Sequence, residues 1–281
     1  MPSSLLDPAW VQLESLLPVR GEFDPAHPLG CHRRRIPDRV VFEHVVAALV
    51  HGSGYERIAT PECSDTTIRR RIKAWAAAGL GHAMHAAALA AYEQIVGLDL
   101  DNILIDGCIT KAVSGGPSTG KSPVDRAKPG IKRSLATEGA GIPIGIVTAP
   151  ANRHDSPLLG PTLDAAAALT GHLWPAKPVV HLDAGYDSQI TRDLLKERDL
   201  GHEITWKGFP VPIDHTRRWR VERTHSWMNG YGKLRRVTDE NPEIIDFYFD
   251  LAATFVTIQA LIREARKTHR WPNRPTTRRL K

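Results

Sequence analysis

Residues 102–109, Asn-Ile-Leu-Ile-Asp-Gly-Cys-Ile, are an apolar run broken by one acid, Asp106, with Gly107 directly behind it. A short run of this kind, rich in isoleucine, reads as a buried strand. A second one, Val179-Val180-His181-Leu182, ends at Asp183 in Asp183-Ala184-Gly185-Tyr186. Around them the pattern predicts strands over 132–138 and 142–148, joined by a glycine-rich turn, and a strand over 202–206. Helices are predicted over 157–169, with Asp155 as its cap and Pro157 near its first turn, and over 188–198. A basic amphipathic helix over 217–233 and a long one over 242–267 follow. Three strands, then helix, strand, helix, strand, helix make an α/β class: a mixed sheet flanked by helices. Active sites in open α/β sheets gather at the carboxyl ends of strands, where both aspartates stand.

Upstream of residue 100 the periodicity is helical. A first helix begins at Asp7-Pro8 and carries Trp10, Leu13, Leu16 and Leu17 on one face. Asp38 caps a helix over 39–51, with Val41, Val45, Ala48 and Leu49 as its apolar stripe and Gly52 and Gly54 as its stop. Ser64-Asp65-Thr66-Thr67 is an N-cap cluster for a helix over 66–78. Its apolar residues are Ile68, Ile72, Trp75 and Ala76; Arg69, Arg70, Arg71 and Lys73 take the other faces. With an Ala-rich helix over 83–96, this is an all-helical, helix-turn-helix-like region. The expected division is a DNA-binding region over 1–96, a catalytic domain over 97–262 and a basic tail over 263–281.

The 281 residues carry 37 Lys and Arg against 31 Asp and Glu, a net charge of +6. The positive charge is concentrated. Residues 263–281 hold eight Lys or Arg and one Glu, and residues 217–236 hold seven and one, so the remainder is net negative. Concentrated cation is what neutralising DNA phosphates requires. Cys31, Cys63 and Cys108 are far apart and odd in number, which argues against disulfides and a zinc site and suits a reducing cytoplasm. MPSSLLDPAW lacks the plan of a signal peptide. The apolar stretch over 251–262 is too short to span a bilayer and contains Gln259, so a soluble protein with no membrane partner is expected.

Asp106 and Asp183 are 77 residues apart, and Glu222 follows 39 residues later as the one acid between Asp214 and Asp239. Either aspartate alone reads as a turn residue, since Asp before Gly is a common turn signal. Glu222 alone reads as a surface ion pair. At helical spacing, however, Arg218, Glu222, Ser226, Asn229 and Lys233 share a polar stripe distinct from Val221, Thr224, Met228 and Tyr231. Three carboxylates without cysteine suit hard ions, Mg²⁺ with Mn²⁺ as a substitute, and two such ions can cleave a phosphodiester.

Six stretches in this order carry a resemblance over nearly the whole chain. They are Ile105-Asp106-Gly107, Pro123-Val124-Asp125-Arg126, Lys132-Arg133, Ala151-Asn152-Arg153-His154-Asp155-Ser156, Asp183-Ala184-Gly185-Tyr186-Asp187-Ser188 and Val221-Glu222-Arg223-Thr224. With them the chain resembles DDE transposases of the insertion-sequence-five type. The resemblance implies a ribonuclease H-like core, the metal triad Asp106, Asp183 and Glu222, and a cytoplasmic, nucleoid-associated bacterial enzyme. It implies double-stranded DNA as partner, both terminal inverted repeats and target, and a homodimer or larger assembly to pair two ends. The side chains expected to meet DNA are Arg69, Arg70, Arg71, Lys73, Lys132, Arg133, Arg153, Arg218, Arg223 and Asn229. In the signature Tyr-x2-Arg-x3-Glu-x6-Lys, only Arg218 and Glu222 match; His215 and Asn229 stand in the Tyr and Lys places. His225 reads as a surface histidine, Trp227 as a packing residue.

Two other readings compete: a DNA-binding regulator that needs Arg69 to Arg71 but no triad, and a nuclease of the same fold that cuts without joining. A haloacid-dehalogenase-like phosphatase on Asp106 fails because position 108 is Cys.

Overall fold

The computed structural model describes residues 1–19, Ala26, 34–205 and 217–268. Cys31, Arg33, Trp206, His215 and residues 269–281 of the basic tail lie outside the described residues. The chain runs α1 (Ser3–Leu16), α2 (Asp38–His51), α3 (Tyr55–Ile58), α4 (Asp65–Ala77), α5 (Leu80–Ile95), β1 (Asn102–Ala112) and β2 (Gly120–Lys121). It continues through β3 (Pro129–Thr137), β4 (Pro143–Pro150), α6 (Leu159–Thr170), β5 (Val179–Leu182), α7 (Gln189–Glu197) and β6 (Gly201–Ile204). Last come α8 (Trp219–Asn229), α9 (Gly232–Arg235), β7 (Arg236–Val237) and α10 (Pro242–Thr268).

β1, β3 and β4 form an antiparallel meander, while β5 and β6 run parallel to β1 on its other side. The spatial order β4-β3-β1-β5-β6, with β1 central, is the ribonuclease H-like mixed sheet. β2 and β7 are two-residue additions to β3 and β1.

Strand alternation divides the interior into two cores. Leu104, Ala112, Ile131 and Leu135 face the core built with α1, α2, α4, α8 and α10. Ile103, Ile105 and Ala136 face the opposite core with Leu159, Leu163 and Ala166 of α6. The even-numbered face of β1 therefore also carries Asp106 and Cys108, and the odd-numbered face carries Gly107. This parity decides which helices each candidate side chain meets.

The N-terminal helices share the first core with α10. By length and apolar composition α10 could cross a membrane, with a mean hydropathy of 1.4 in its most apolar window; 72% of that window is buried inside the protein. Its length comes from continuing the apolar stripe upstream of residue 251, where Phe247, Tyr248 and Phe249 are all buried. The helix predicted over 242–267 is found with nearly the same bounds.

Three helices depart from their predicted form; the first, α1, begins at Ser3 rather than Asp7 and carries Pro8 inside it. Asp38 opens α2 from inside its first turn and makes no cap; its carboxylate takes Arg35 at 3.0 Å and Arg71. The basic helix predicted over 217–233 stops at Asn229, and Gly230 and Tyr231 turn the chain into α9. Lys233 consequently leaves the Glu222 stripe. It is buried, its Nζ donating to Asp239 at 2.6 Å and Thr238 at 2.7 Å beneath the rings of Tyr55 and Tyr248.

Candidate active site

β1 and β5 pair in parallel with Leu104 opposite His181. Asp106 and Asp183 each lie two residues further on, so they emerge level, on one face, from neighbouring strands. Strands at roughly 4.8 Å spacing hold such residues within electrostatic reach. Asp183 follows β5 directly and caps a short 3-10 turn, its Oδ1 accepting the N–H of Gly185 at 2.9 Å. Glu222 comes from α8, which packs over β1 and β3 on the same face. Arg218, one turn earlier, reaches Glu222 at 3.3 Å.

Asp106 is held in an unfavourable state. Its carboxyl is pushed up to about 7, first by burial and then by the negative charges of Asp183 and Glu222; the Gly107 N–H and Arg218 pull it down. Three acids separated by 77 and 39 residues thus feel one another. Among the described residues, however, no three His, Cys, Asp or Glu side chains stand close enough to hold an ion as they are. Asp183 and Glu222 are spending oxygens on Gly185 and Arg218 instead.

Behind Asp106 lies a polar layer. Arg133 is fully buried and donates from Nη2 to His225 Nδ1 at 2.9 Å and to Asn229 Oδ1 at 3.1 Å, its guanidinium 5.4 Å from the centre of the Phe249 ring. Because Nδ1 accepts, the proton of neutral His225 sits on Nε2, which faces Asp106 Oδ2 at 3.7 Å. Burial, and then Arg133, hold His225 well below the usual histidine range. His225 Nε2, Arg133 Nε and Nη1, Tyr186 Oη and Asp155 Oδ1 are all buried without a hydrogen-bond partner. Orphaned atoms around a desolvated carboxylate mark a place built to receive further polar or charged groups.

Several expectations are corrected here. Lys132 and Arg133 do not meet solvent. Lys132 lies on the odd-numbered face, under α6, with Nζ 2.9 Å from Asp155 Oδ2; Arg133 is sealed under α8. Asp155 makes no side-chain cap at its helix and spends its carboxylate on Lys132. Arg71 turns inward to Asp38 because the adjoining Ile68, Ile72 and Trp75 face the core. Asn229 bonds Arg133 and, at 3.6 Å, Cys108 Sγ, so it faces the interior. His225 is buried, not a surface residue. Arg70, Lys73 and Arg153 are exposed as expected. Arg69 is half-exposed but committed to Glu56, Asp65 and the Tyr55 ring.

Arg223 lies 4.6 and 4.4 Å from the ring centres of Trp219 and Trp227, and Arg263 lies 5.1 Å from that of Trp227. Trp227 therefore packs both against the edge of the first core and against these cations. The signal for Arg133, His225 and Asp155 was present: each lies within or beside a stretch that carried the family resemblance. What they do depends on strand parity, which residue types do not reveal.

Gly107 is required by the same parity. A Cβ there would run into Asp155 Oδ1 on the α6 side. Gly107→Ala is expected to lose about 1–3 kcal/mol as the Lys132–Asp155 pair is pushed away. The midpoint of urea unfolding measures this; an unchanged midpoint would show that the pair yields freely.

Residues 94–243 match the family described as "Transposase DDE domain". Over 153 residues the chain is 32% identical to "Putative transposase for insertion sequence element IS402" of Burkholderia cepacia, covering 53% of this chain and 72% of that protein. Among solved structures, the Mos1 transposase paired-end complex with left transposon end overlaps 92% of this chain and 88% of its own, at 10% identity and a TM-score of 0.28. The Mos1 mariner paired end complex with Mn overlaps 90% and 86%, at 8% identity and 0.27. The strand order defines the ribonuclease H-like class of fold. Within that class, the chain belongs to the transposase DDE domain family, as a transposase of an insertion sequence.

Proposed function

We propose that Asp106, Asp183 and Glu222 hold divalent ions and that this site cuts an element end and joins it to target DNA. The observation carrying this reading is that Asp106 and Asp183 stand on adjacent parallel strands with α8, which bears Glu222, packed over the same sheet; burial and the two other acids push the half-buried Asp106 carboxyl up to about 7. A buried carboxylate beside two like charges is costly unless a cation compensates it. Membership of the family implies dependence on a divalent metal. The donor set is all oxygen and fits Mg²⁺ or Mn²⁺. Two such ions would supply Lewis acidity at the scissile phosphate and an acidified water.

The remaining work falls to this chain's own side chains. Asp106 and Asp183, level on adjacent strands, form the shared carboxylate pair, and Glu222 closes the site from α8. His225 Nε2, 3.7 Å from Asp106 Oδ2 and unpartnered, borders the carboxylate without bonding it, and Arg133 holds His225 in the tautomer that points its N–H that way. Arg218, now 3.3 Å from Glu222, would be free to meet a DNA phosphate if Glu222 held an ion. Arg70, Lys73, Arg153 and Arg223 supply cations for duplex DNA. Hydrolysis frees a 3′-hydroxyl, which attacks a target phosphodiester; the phosphoryl bond broken equals the bond formed. Two ends must be held together, which calls for a dimer or larger assembly. The insertion-sequence-five type, a bacterial cytoplasmic setting and the division at 96 and 262 belong to the same proposal.

The test is incubation of the full chain with Mg²⁺ and end-labelled duplex from the DNA flanking its own coding sequence, with a plasmid target. Labelled strand covalently joined to plasmid is the expected product. Nicks without joining would favour the nuclease reading, and binding alone the regulator.

A further inference from the structure

A polar cleft of about 530 Å³ opens where the C-terminal end of α2 meets α9 and β7. Arg57, Arg235 and Arg236 line it, together with Ser53 and Thr238. All three arginines are exposed, and among the described residues none has an ion-pair partner. The nearby acids are already engaged. Glu56 takes Arg69, and Asp239 takes Lys233 and the Tyr55 hydroxyl. Three guanidinium groups therefore line one open space with no ion-pair partner among the described residues. That arrangement is repulsive until a polyanion fills it.

The cleft has a fixed floor. Gly52 ends α2 with φ 67° and lies directly against Gly232 at the start of α9. A Cβ on either glycine would run into the backbone of the other. This glycine contact sets how close Arg57 comes to Arg235 and Arg236. Thr238 is oriented as well, because its Oγ1 accepts from Lys233 at 2.7 Å and leaves its own proton free to donate.

The sheet register places the cleft relative to the acids. Arg236 pairs with Lys111 on β1, five residues beyond Asp106 and of opposite parity to it, so the register gives their spacing along the strand and not a shared face. At about 3.3 Å per strand residue the separation is roughly 16 Å. A DNA strand rises about 3.4 Å per nucleotide, so that distance is about five nucleotides.

We propose that this cleft is a second DNA contact, gripping duplex phosphates about five nucleotides from the phosphate that is cut. The inference rests on the strand-transfer reading above and adds where the duplex is clamped. Arginine's forked donors suit phosphate oxygens, and the Ser53 and Thr238 hydroxyls add neutral donors beside them. The grip reads backbone, not sequence.

The experiment compares three full-length proteins: wild type, the triple variant Arg57→Gln, Arg235→Gln, Arg236→Gln, and a charge control, Lys177→Gln, Lys196→Gln. The control residues are exposed, in the segment before β5 and on α7. Binding to the flanking-DNA duplex is titrated at several salt concentrations. Each lost phosphate contact lowers the salt slope by about 0.9, so the triple variant should fall by about two to three. The control slope should match wild type. Hydroxyl-radical footprinting should lose one protected patch about five nucleotides from the cleavage position and keep protection at that position. A triple variant with the wild-type slope and footprint overturns the cleft proposal while leaving the catalytic reading intact. A slope that falls equally in the control also overturns it, because bulk charge would then suffice. Wild type that binds no duplex brings down the strand-transfer reading and the cleft's occupant together.

Discussion

Asp106→Asn and Asp183→Asn are each expected to abolish cleavage and joining, by on the order of 10³-fold or more, while DNA binding persists. A factor of that size is about 4 kcal/mol of transition-state stabilisation. Loss of one carboxylate from a unit of three acts on the whole unit, so the double variant should be no worse than either single one. The folded protein should not suffer. Asp106 is buried, and the negative charges of Asp183 and Glu222 already disfavour its ionised form. Asn removes that repulsion, so without metal the variant should melt at or above wild type. Metal separates the two further. An ion that binds only the folded state adds about 1.4 kcal/mol at ten times its Kd. Mg²⁺ should therefore raise the wild-type melting temperature by about 2–4 °C and leave Asp106→Asn unmoved. A variant that still cleaves, or that gains the same Mg²⁺ shift, would remove Asp106 from the site.

The second large effect is expected away from the acids, at Glu138. This residue is fully buried at the end of β3. Its Oε1 accepts the N–H of Ile142 at 2.7 Å, its Oε2 that of Asp99 at 3.0 Å, and the N–H of Ala140 also points to it. The turn so gathered presents its carbonyls outward to α8. Arg220 donates to Gly139 O, Arg223 to Ala140 O at 2.6 Å and Thr224 to Gly141 O at 2.6 Å. Glu138 thus anchors the turn that fastens the helix bearing Glu222. Glu138→Ala orphans these backbone donors and should cost about 2–5 kcal/mol. It should also weaken the Mg²⁺ shift, because α8 is loosened. Glu138→Gln keeps one acceptor oxygen and should recover part of both. Burial raises the Glu138 carboxyl above its ordinary 4.5. Between 4.5 and that raised value the folded state binds more protons than the unfolded chain, so stability falls as pH rises through this window. In Glu138→Gln this dependence should vanish. Full stability of the Ala variant would mean that the turn holds without its anchor.

The chain's elements were legible because they depend on local pattern. The apolar run interrupted by Asp106, which lies within β1 rather than at its carboxyl end, and the run ended by Asp183 gave two strands, and the Ser64 cap, accepting from Thr67 N–H, began α4. The order of elements was enough for a mixed α/β sheet. The candidate acids were legible because few residue types can hold a hard cation, and these three stand in motifs that resemble a known family. Failures came where a side chain's surroundings are set by distant chain. Arg71, Lys132 and Arg133 look like phosphate ligands by residue type, yet Asp38, Asp155 and His225 take them inside. The basic helix looked continuous because periodicity cannot register that Gly230 and Tyr231 turn the chain.

What the sequence by itself determined was the set of strands and helices and the excess of cation, since each follows from composition and short-range spacing; the three candidate acids came from the family resemblance. Only the tertiary structure decided which cations remain outside, that His225 lies behind Asp106, that Glu138 anchors α8, and that Arg57 joins Arg235 and Arg236 in one cleft. The physical reason is strand parity and register: a side chain's face is fixed by the residue opposite it across the sheet, and that residue can lie close by or more than a hundred positions away, as Arg236 does from Lys111.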